Sequence, residues 1–267
     1  MFIKPINITE MSLGISNDLW KSLENHIGDS EEWFNKLIKT SKWSSQISDA
    51  TLEAIIKNYF FTLLERNNIN LIDLKCNFYK TDEADSIYGK CSYNLLNSSN
   101  KLKHIKEIKA KIDIYMFRLL EVNSKDAIKI LYHELIHCEE LTKALINIGT
   151  DKMFNTIPQF EWVSADLVIN KKENKTEEDY INDISEINAY AGELALQLYY
   201  KYKLEFKDRT TKEQDYFIRT KIIPNIKNEF SNSIQVNYIN KLIKSNKFYI
   251  ALIKQLSILA SHVAINE

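Results

Sequence analysis

The sequence predicts an α+β fold that is mostly helical. A small sheet of three or more strands packs on a central helix, and further helices flank it at both ends. Three observations carry this reading. Only five glycines and three prolines occur in 267 residues, too few punctuating residues for a turn-rich all-β chain. Apolar residues recur at helical spacing in the first and last parts of the chain and alternate only in between. Directly after the alternating stretches comes a segment that is apolar around most of a helical circumference, the mark of a buried helix.

Taken in order, SDATLEAIIKNYFFTLLER (48–66) predicts a helix capped by Ser48 or Asp49. Its buried face comprises Leu52, Ile55, Ile56, Tyr59, Phe60, Leu63 and Leu64. After Asn67-Asn68 the period changes. INLIDLKCNFYKT places Leu74, Cys76 and Phe78 on one face with Lys75 and Asn77 between them, which is strand-like. SIYGKCSYNLL predicts a second strand, with Gly89 marking a bulge or a close backbone approach. KIDIYMFRLL predicts a third, with Ile112, Ile114 and Met116 on one side, and it reads as a sheet edge.

The next helix starts near Ser124, a good N-cap. Ile128, Leu131, Leu135 and Cys138 form its main stripe, and Ile130 and Leu141 a second. NKKENKTEEDYINDIS is a polar excursion or the entry to another helix. From Tyr180 a stripe runs through Ile184, Ile187, Ala191, Leu194 and Leu198. Beyond Thr210 the chain is helical again, through DYFIRTKII, a break at Pro224, VNYINKLI and KFYIALIKQLSILASHVAI. The expected organisation is an N-terminal helical region (1–68), a core (69–200) and a C-terminal helical region (201–267), folded together as one unit.

An apolar content of 45% and a charged content of 27% are those of an ordinary globular protein. A net charge of −1 provides no global field to recruit nucleic acid or an anionic membrane. The lysines of KLKHIKEIKAK (Lys101, Lys103, Lys106, Lys109 and Lys111) lack interleaved aromatics and read as a solvated hairpin face. The start, MFIKPINITEMSLG, has no signal-peptide pattern, and no apolar run reaches membrane-span length. Cys76, Cys91 and Cys138 are too widely spaced for a metal knuckle or a disulfide framework. A cytoplasmic or otherwise intracellular protein is expected, without membrane or nucleic-acid partners.

The chemistry lies in LYHELIHCEE (131–140), which contains His-Glu-x-x-His and uses two of the chain's five histidines. On a helix, His133 and His137 share a face and can direct both imidazoles at one ion. Glu134 lies about a hundred degrees further round, where it can reach a water without ligating the metal. A zinc ion with three protein ligands and an open position activates such a water. Glu134 would act as general base, taking the water's proton and delivering it to the leaving amine.

The order of strands, His-Glu-x-x-His helix and later glutamate helix resembles the zincin metallopeptidases. Within that group, the metzincin continuation His-x-x-Gly-x-x-His fails, because Glu140 and Lys143 stand at its positions. The aspzincin Gly-Thr-x-Asp is one residue short in Gly149-Thr150-Asp151. SprT-like proteases use a further histidine soon after the pair, and none occurs before His262. The gluzincin branch, which takes a glutamate as third ligand, remains.

Two glutamates compete for that role. Glu161, in QFEWVSAD, lies 24 residues after His137, near thermolysin-like spacing, but its aspartate is displaced by one position. Glu186, in SEINAYAGELAL, is similar to the Glu-x-x-Ala-x-x-Ala helix of small gluzincins, including the ImmA/IrrE-like peptidases. The helical patterning around Glu186 and the small Ala189 one turn on favour it, with Glu161 as the alternative. The resemblance spans about Ile69 to Tyr200.

It implies a zinc endopeptidase with one Zn2+ per chain, held by His133, His137 and Glu186, acting on a protein or peptide substrate through metal-activated water. Glu140 and Glu193 are candidates to support the ligands from behind. Asn188 and Tyr190 are candidates to orient a ligand or stabilise an oxyanion. Cys138 and His262 read as core residues. The other function class is a non-catalytic module of the same fold that binds a partner protein or nucleic acid. An intact Glu134 speaks against it, since binding alone needs no general base.

Overall fold

The structure is a computed structural model that describes residues 16–39, 46–79, 89–97, 106–115, 124–147, 162–164, 183–229, 242 and 245–265. It is α+β and mostly helical. The chain divides into two compact units, the first built mainly of Asp18–Glu173 and the second mainly of Asn174–Glu267.

In the first unit, helices α1 (Asn17–Ile27) and α2 (Ser30–Lys39) meet at Gly28, whose φ of +56° is the left-handed geometry that ends a helix at little cost for glycine. Strand β1 (Gln46–Ser48) leads into helix α3 (Ala50–Glu65). Of the two cap candidates, Asp49 is the one used. Its Oδ1 accepts from the Thr51 and Leu52 N–H groups at 3.1 and 3.0 Å. Its Oδ2 lies 2.9 Å from His26 Nε2 and accepts from the Trp33 indole at 3.0 Å, so one carboxylate joins three helices. Burial alone would raise the Asp49 pKa. The hydrogen bonds from His26, Leu52 and Trp33 outweigh it and hold the carboxyl below its usual range.

Along α3 the buried stripe is Leu52, Ile56, Phe60 and Leu64. The other expected apolar positions, Ile55, Tyr59 and Leu63, are half-buried. Full burial of such side chains contributes about 1.5–3 kcal/mol each, which anchors the helix far more firmly than its cap.

Strands β2 (Ile69–Tyr79), β3 (Gly89–Asn97), β4 (Lys106–Tyr115) and β5 (Trp162–Ser164) complete a five-stranded mixed sheet in the order β1-β2-β4-β3-β5. β4 is parallel to β2 and antiparallel to β3. The strand expected at an edge is therefore the central one, because the other two long strands, β2 and β3, pair with it instead of with each other. A register shift between Leu71 and Asp73 lets Leu71 and Leu74, three residues apart, both be buried while Ile72 faces out. Beyond it Leu74, Cys76 and Phe78 are buried on one face as expected and Lys75 is exposed, whereas Asn77 is buried too, its Nδ2 donating to Asp113 Oδ1 at 2.7 Å. Of the expected strand residues, Met116 lies outside the described residues.

The central helix, α4 (Ser124–Asn147), packs on β3 and β4. All of its residues from Asp126 to Thr142 are buried apart from Lys129, as an apolar pattern around most of the circumference requires.

In the second unit, helix α5 (Ile184–Lys207) starts at Asp183, whose side chain accepts from the Ser185 N–H at 2.9 Å. Ile187, Ala191, Leu194 and Leu198 are buried as expected and Ile184 is half-buried, whereas Tyr180 lies outside the described residues. Helix α6 (Thr211–Phe217) opens with a capping box between Thr210 and Glu213. It continues through a π turn (Ile218–Ile222), a 3-10 turn (Ile223–Asn225) and one further turn (Ile226–Glu229). Pro224 thus sits in the 3-10 turn without breaking the run of helical segments. Helix α7 (Asn246–Ser261) packs along α5, where buried Gln255 donates from Nε2 to the Asn188 carbonyl at 2.8 Å. Gln214 Nε2 donates to the carbonyls of Phe206 and Ala260 at 2.8 and 2.9 Å, satisfying two helix ends at once. No helix among the described residues is long and apolar enough to cross a membrane.

Candidate metal centre

The position of α4 is set by three rungs between it and β3. The first is Gly89 against Glu134. A Cβ on Gly89 would fall 2.5 Å from Glu134 Oε1, 2.7 Å from Cγ and 2.8 Å from Cδ, so only glycine fits with the carboxylate in place. This is the close approach expected at Gly89. The second rung is Cys91 against Cys138, with sulfurs 2.6 Å apart. In the third, the Tyr93 hydroxyl donates to the Cys138 carbonyl at 3.2 Å and lies 3.1 Å from Thr142 Oγ1.

The rungs fall at every second strand residue and every fourth helix residue. Two residues of strand advance about 6.6 Å, and four residues of helix about 6 Å, so strand and helix stay in step over the three contacts. Burial pushes the thiol of Cys91 and the phenol of Tyr93 up, so both groups favour the protonated form.

Gly89→Ala is expected to force the Glu134 arm aside or push β3 away from α4, at a cost of about 1–3 kcal/mol of stability from overpacking. Denaturant unfolding measures it. An unchanged midpoint would show that the Glu134 side chain swings clear without resistance.

On the next face of α4 stand the two histidines. His133 and His137 are 7% and 6% exposed, and their Nε2 atoms are 3.2 Å apart. Two nitrogens each about 2.0–2.1 Å from one tetrahedral ion would be separated by about 3.3–3.4 Å. The rings are therefore spaced as two ligands of one ion would be, a distance that also suits an N–H···N hydrogen bond between neutral imidazoles. Glu186, in the first turn of α5, is 1% exposed. Ligand atoms of His133, His137 and Glu186 all lie within 4.8 Å of one another. A buried set of two nitrogens and one carboxylate oxygen matches the donor chemistry of zinc and related divalent ions, so this group can bind a metal ion.

The remaining candidates divide. Glu161 lies outside the described residues, as do Gly149, Thr150 and Asp151. Glu140, Asn188, Tyr190 and Glu193 are all buried, and among the described residues neither Glu140 nor Glu193 joins the metal-competent group. Asn188 has a backbone role, its carbonyl accepting from Gln255. His262 caps the end of α7 and is half-buried. Lys109 and Lys111 are half-buried, and Lys111 pairs with Asp113 at 3.1 Å. Lys101 and Lys103 lie outside the described residues.

Two features of the centre carried little signal in the sequence. Glu139 is buried beside the motif, where it accepts from the Tyr59 hydroxyl at 3.2 Å and pairs with Lys143 at 2.5 Å. The Lys143 pair is readable as an i, i+4 spacing, but the Tyr59 contact is not. Cys91 offers no local signal at all, because its partner is 47 positions away.

No protein-family model, curated protein or solved structure matches the chain.

Proposed function

We propose that the protein is a zinc-dependent metallopeptidase, an endopeptidase of gluzincin type, in which His133, His137 and Glu186 hold the ion and Glu134 is the general base. The observation that carries this reading is the buried grouping of two imidazoles and one carboxylate with their ligand atoms within 4.8 Å. A divalent ion bound there supplies Lewis-acid activation of water and of a peptide carbonyl.

The chain's own contribution is to hold and move the proton. Glu134 follows His133 on a buried turn of α4 and is itself 5% exposed. Its carboxylate takes a proton from the attacking water and returns it to the departing amine. The Gly89 backbone packs against the Glu134 arm and restricts where the carboxylate can go, and positioning of this kind is a large part of what a general base needs. Burial also strengthens every electrostatic interaction within the group relative to bulk water. The substrate class that follows is a peptide or protein.

Protein purified without chelators is expected to contain about one zinc per chain and to cleave an unfolded protein substrate. Removing the metal with a chelator should stop cleavage, and added zinc should restore it. Elemental analysis showing no metal would overturn the reading at its base.

A further inference from the structure

We propose that Cys91 and Cys138 are a redox pair that forms an intramolecular disulfide, a covalent tie between β3 and the helix carrying the His-Glu-x-x-His motif. The two sulfurs are 2.6 Å apart, about half an ångström beyond the roughly 2.05 Å of an S–S bond, so bonding requires only a small closing movement. Their separation is held by the rungs on either side. Gly89 meets Glu134 one step before, and Tyr93 meets Thr142 and the Cys138 carbonyl one step after. Neither sulfur can drift along the other element without breaking one of those contacts. Both cysteines are buried, as is the third thiol, Cys76 on β2.

Burial defines the oxidant. A bulky disulfide cannot reach these sulfurs, whereas a small neutral peroxide can enter through local opening. One thiol gives up its proton to the departing peroxide oxygen as its sulfur attacks the other oxygen. An S–O bond forms, the O–O bond breaks, and a sulfenic acid and one water result. The second thiol then attacks the sulfenyl sulfur. The S–S bond forms, the S–O bond breaks, and a second water leaves, so two thiols are oxidised by two electrons and one hydrogen peroxide is reduced to two waters. A thiol reductant reverses the change.

The product would fix β3 against α4 beside the Glu134 contact. The inference rests on the sulfur geometry alone and stands or falls separately from the metal reading.

The test uses the full wild-type chain, reduced, freed of reductant and treated with hydrogen peroxide. It is then denatured, alkylated and mapped by mass spectrometry. Three free thiols are expected before treatment, matching the three cysteines of the chain. One is expected afterwards, at Cys76, together with a linked peptide containing Cys91 and Cys138 in the monomer, and reductant should restore all three. Cys76→Ser should leave that linked peptide unchanged. Three thiols surviving treatment, a link that involves Cys76, or a disulfide found only between chains would each overturn the proposal.

Discussion

Replacing Glu134 by glutamine is expected to abolish peptide hydrolysis while leaving the metal and the fold in place. The amide has nearly the shape of the carboxylate, so it can fill the same space against Gly89, where the Glu134 side chain now lies. It is not one of the three residues whose ligand atoms cluster, so metal content should stay at the wild-type level. An amide nitrogen and oxygen cannot carry the proton that a general base must accept. Positioned general acid–base groups contribute about 10²–10⁴-fold in rate. The check pairs a cleavage assay with elemental analysis and circular dichroism on the same preparation. Equal cleavage by wild type and Glu134→Gln would remove Glu134 from the chemistry. Absence of cleavage in both, with metal bound, would favour the binding-module reading.

The second large effect is expected at Glu186. Glu186→Ala removes one of three donors and should release the metal, with a loss of affinity well beyond the 10–100-fold typical of residues that merely support a ligand. Glu161→Ala should leave binding largely intact. Because Glu186 is buried in the first turn of α5, Glu186→Gln is the companion variant. It keeps the volume and a neutral oxygen while removing the negative charge, and it should weaken metal binding without loss of helix content. The measurement is competition for zinc against a chromogenic chelator. If Glu161→Ala releases the metal and Glu186→Ala does not, the third ligand is Glu161 and the site is thermolysin-like.

What the sequence by itself determined is what depends on neighbours within a few residues. The 3.6-residue period marks Leu52, Ile56, Phe60 and Leu64 as one face of α3, and the same period places His133 and His137 together on α4. Alternation marks the inner face of β2 from Leu74 to Phe78. These patterns are legible because a helix turn and a strand pleat repeat over distances that a short window contains.

Only the tertiary structure decided which elements meet. Nothing in the strand patterns indicates that β4 lies between β2 and β3, because a hydrogen-bond ladder joins backbone groups that every residue carries. The three-residue strands β1 and β5 are too short to show a period. Two cap candidates stood side by side, and contacts from His26 and Trp33 on other helices hold Asp49 in that place. The meeting of Cys91 with Cys138 joins residues 47 positions apart, and the metal-competent group draws on Glu186, 49 positions beyond His137. Local periodicity cannot encode approaches over such separations, because they depend on the path of the whole intervening chain.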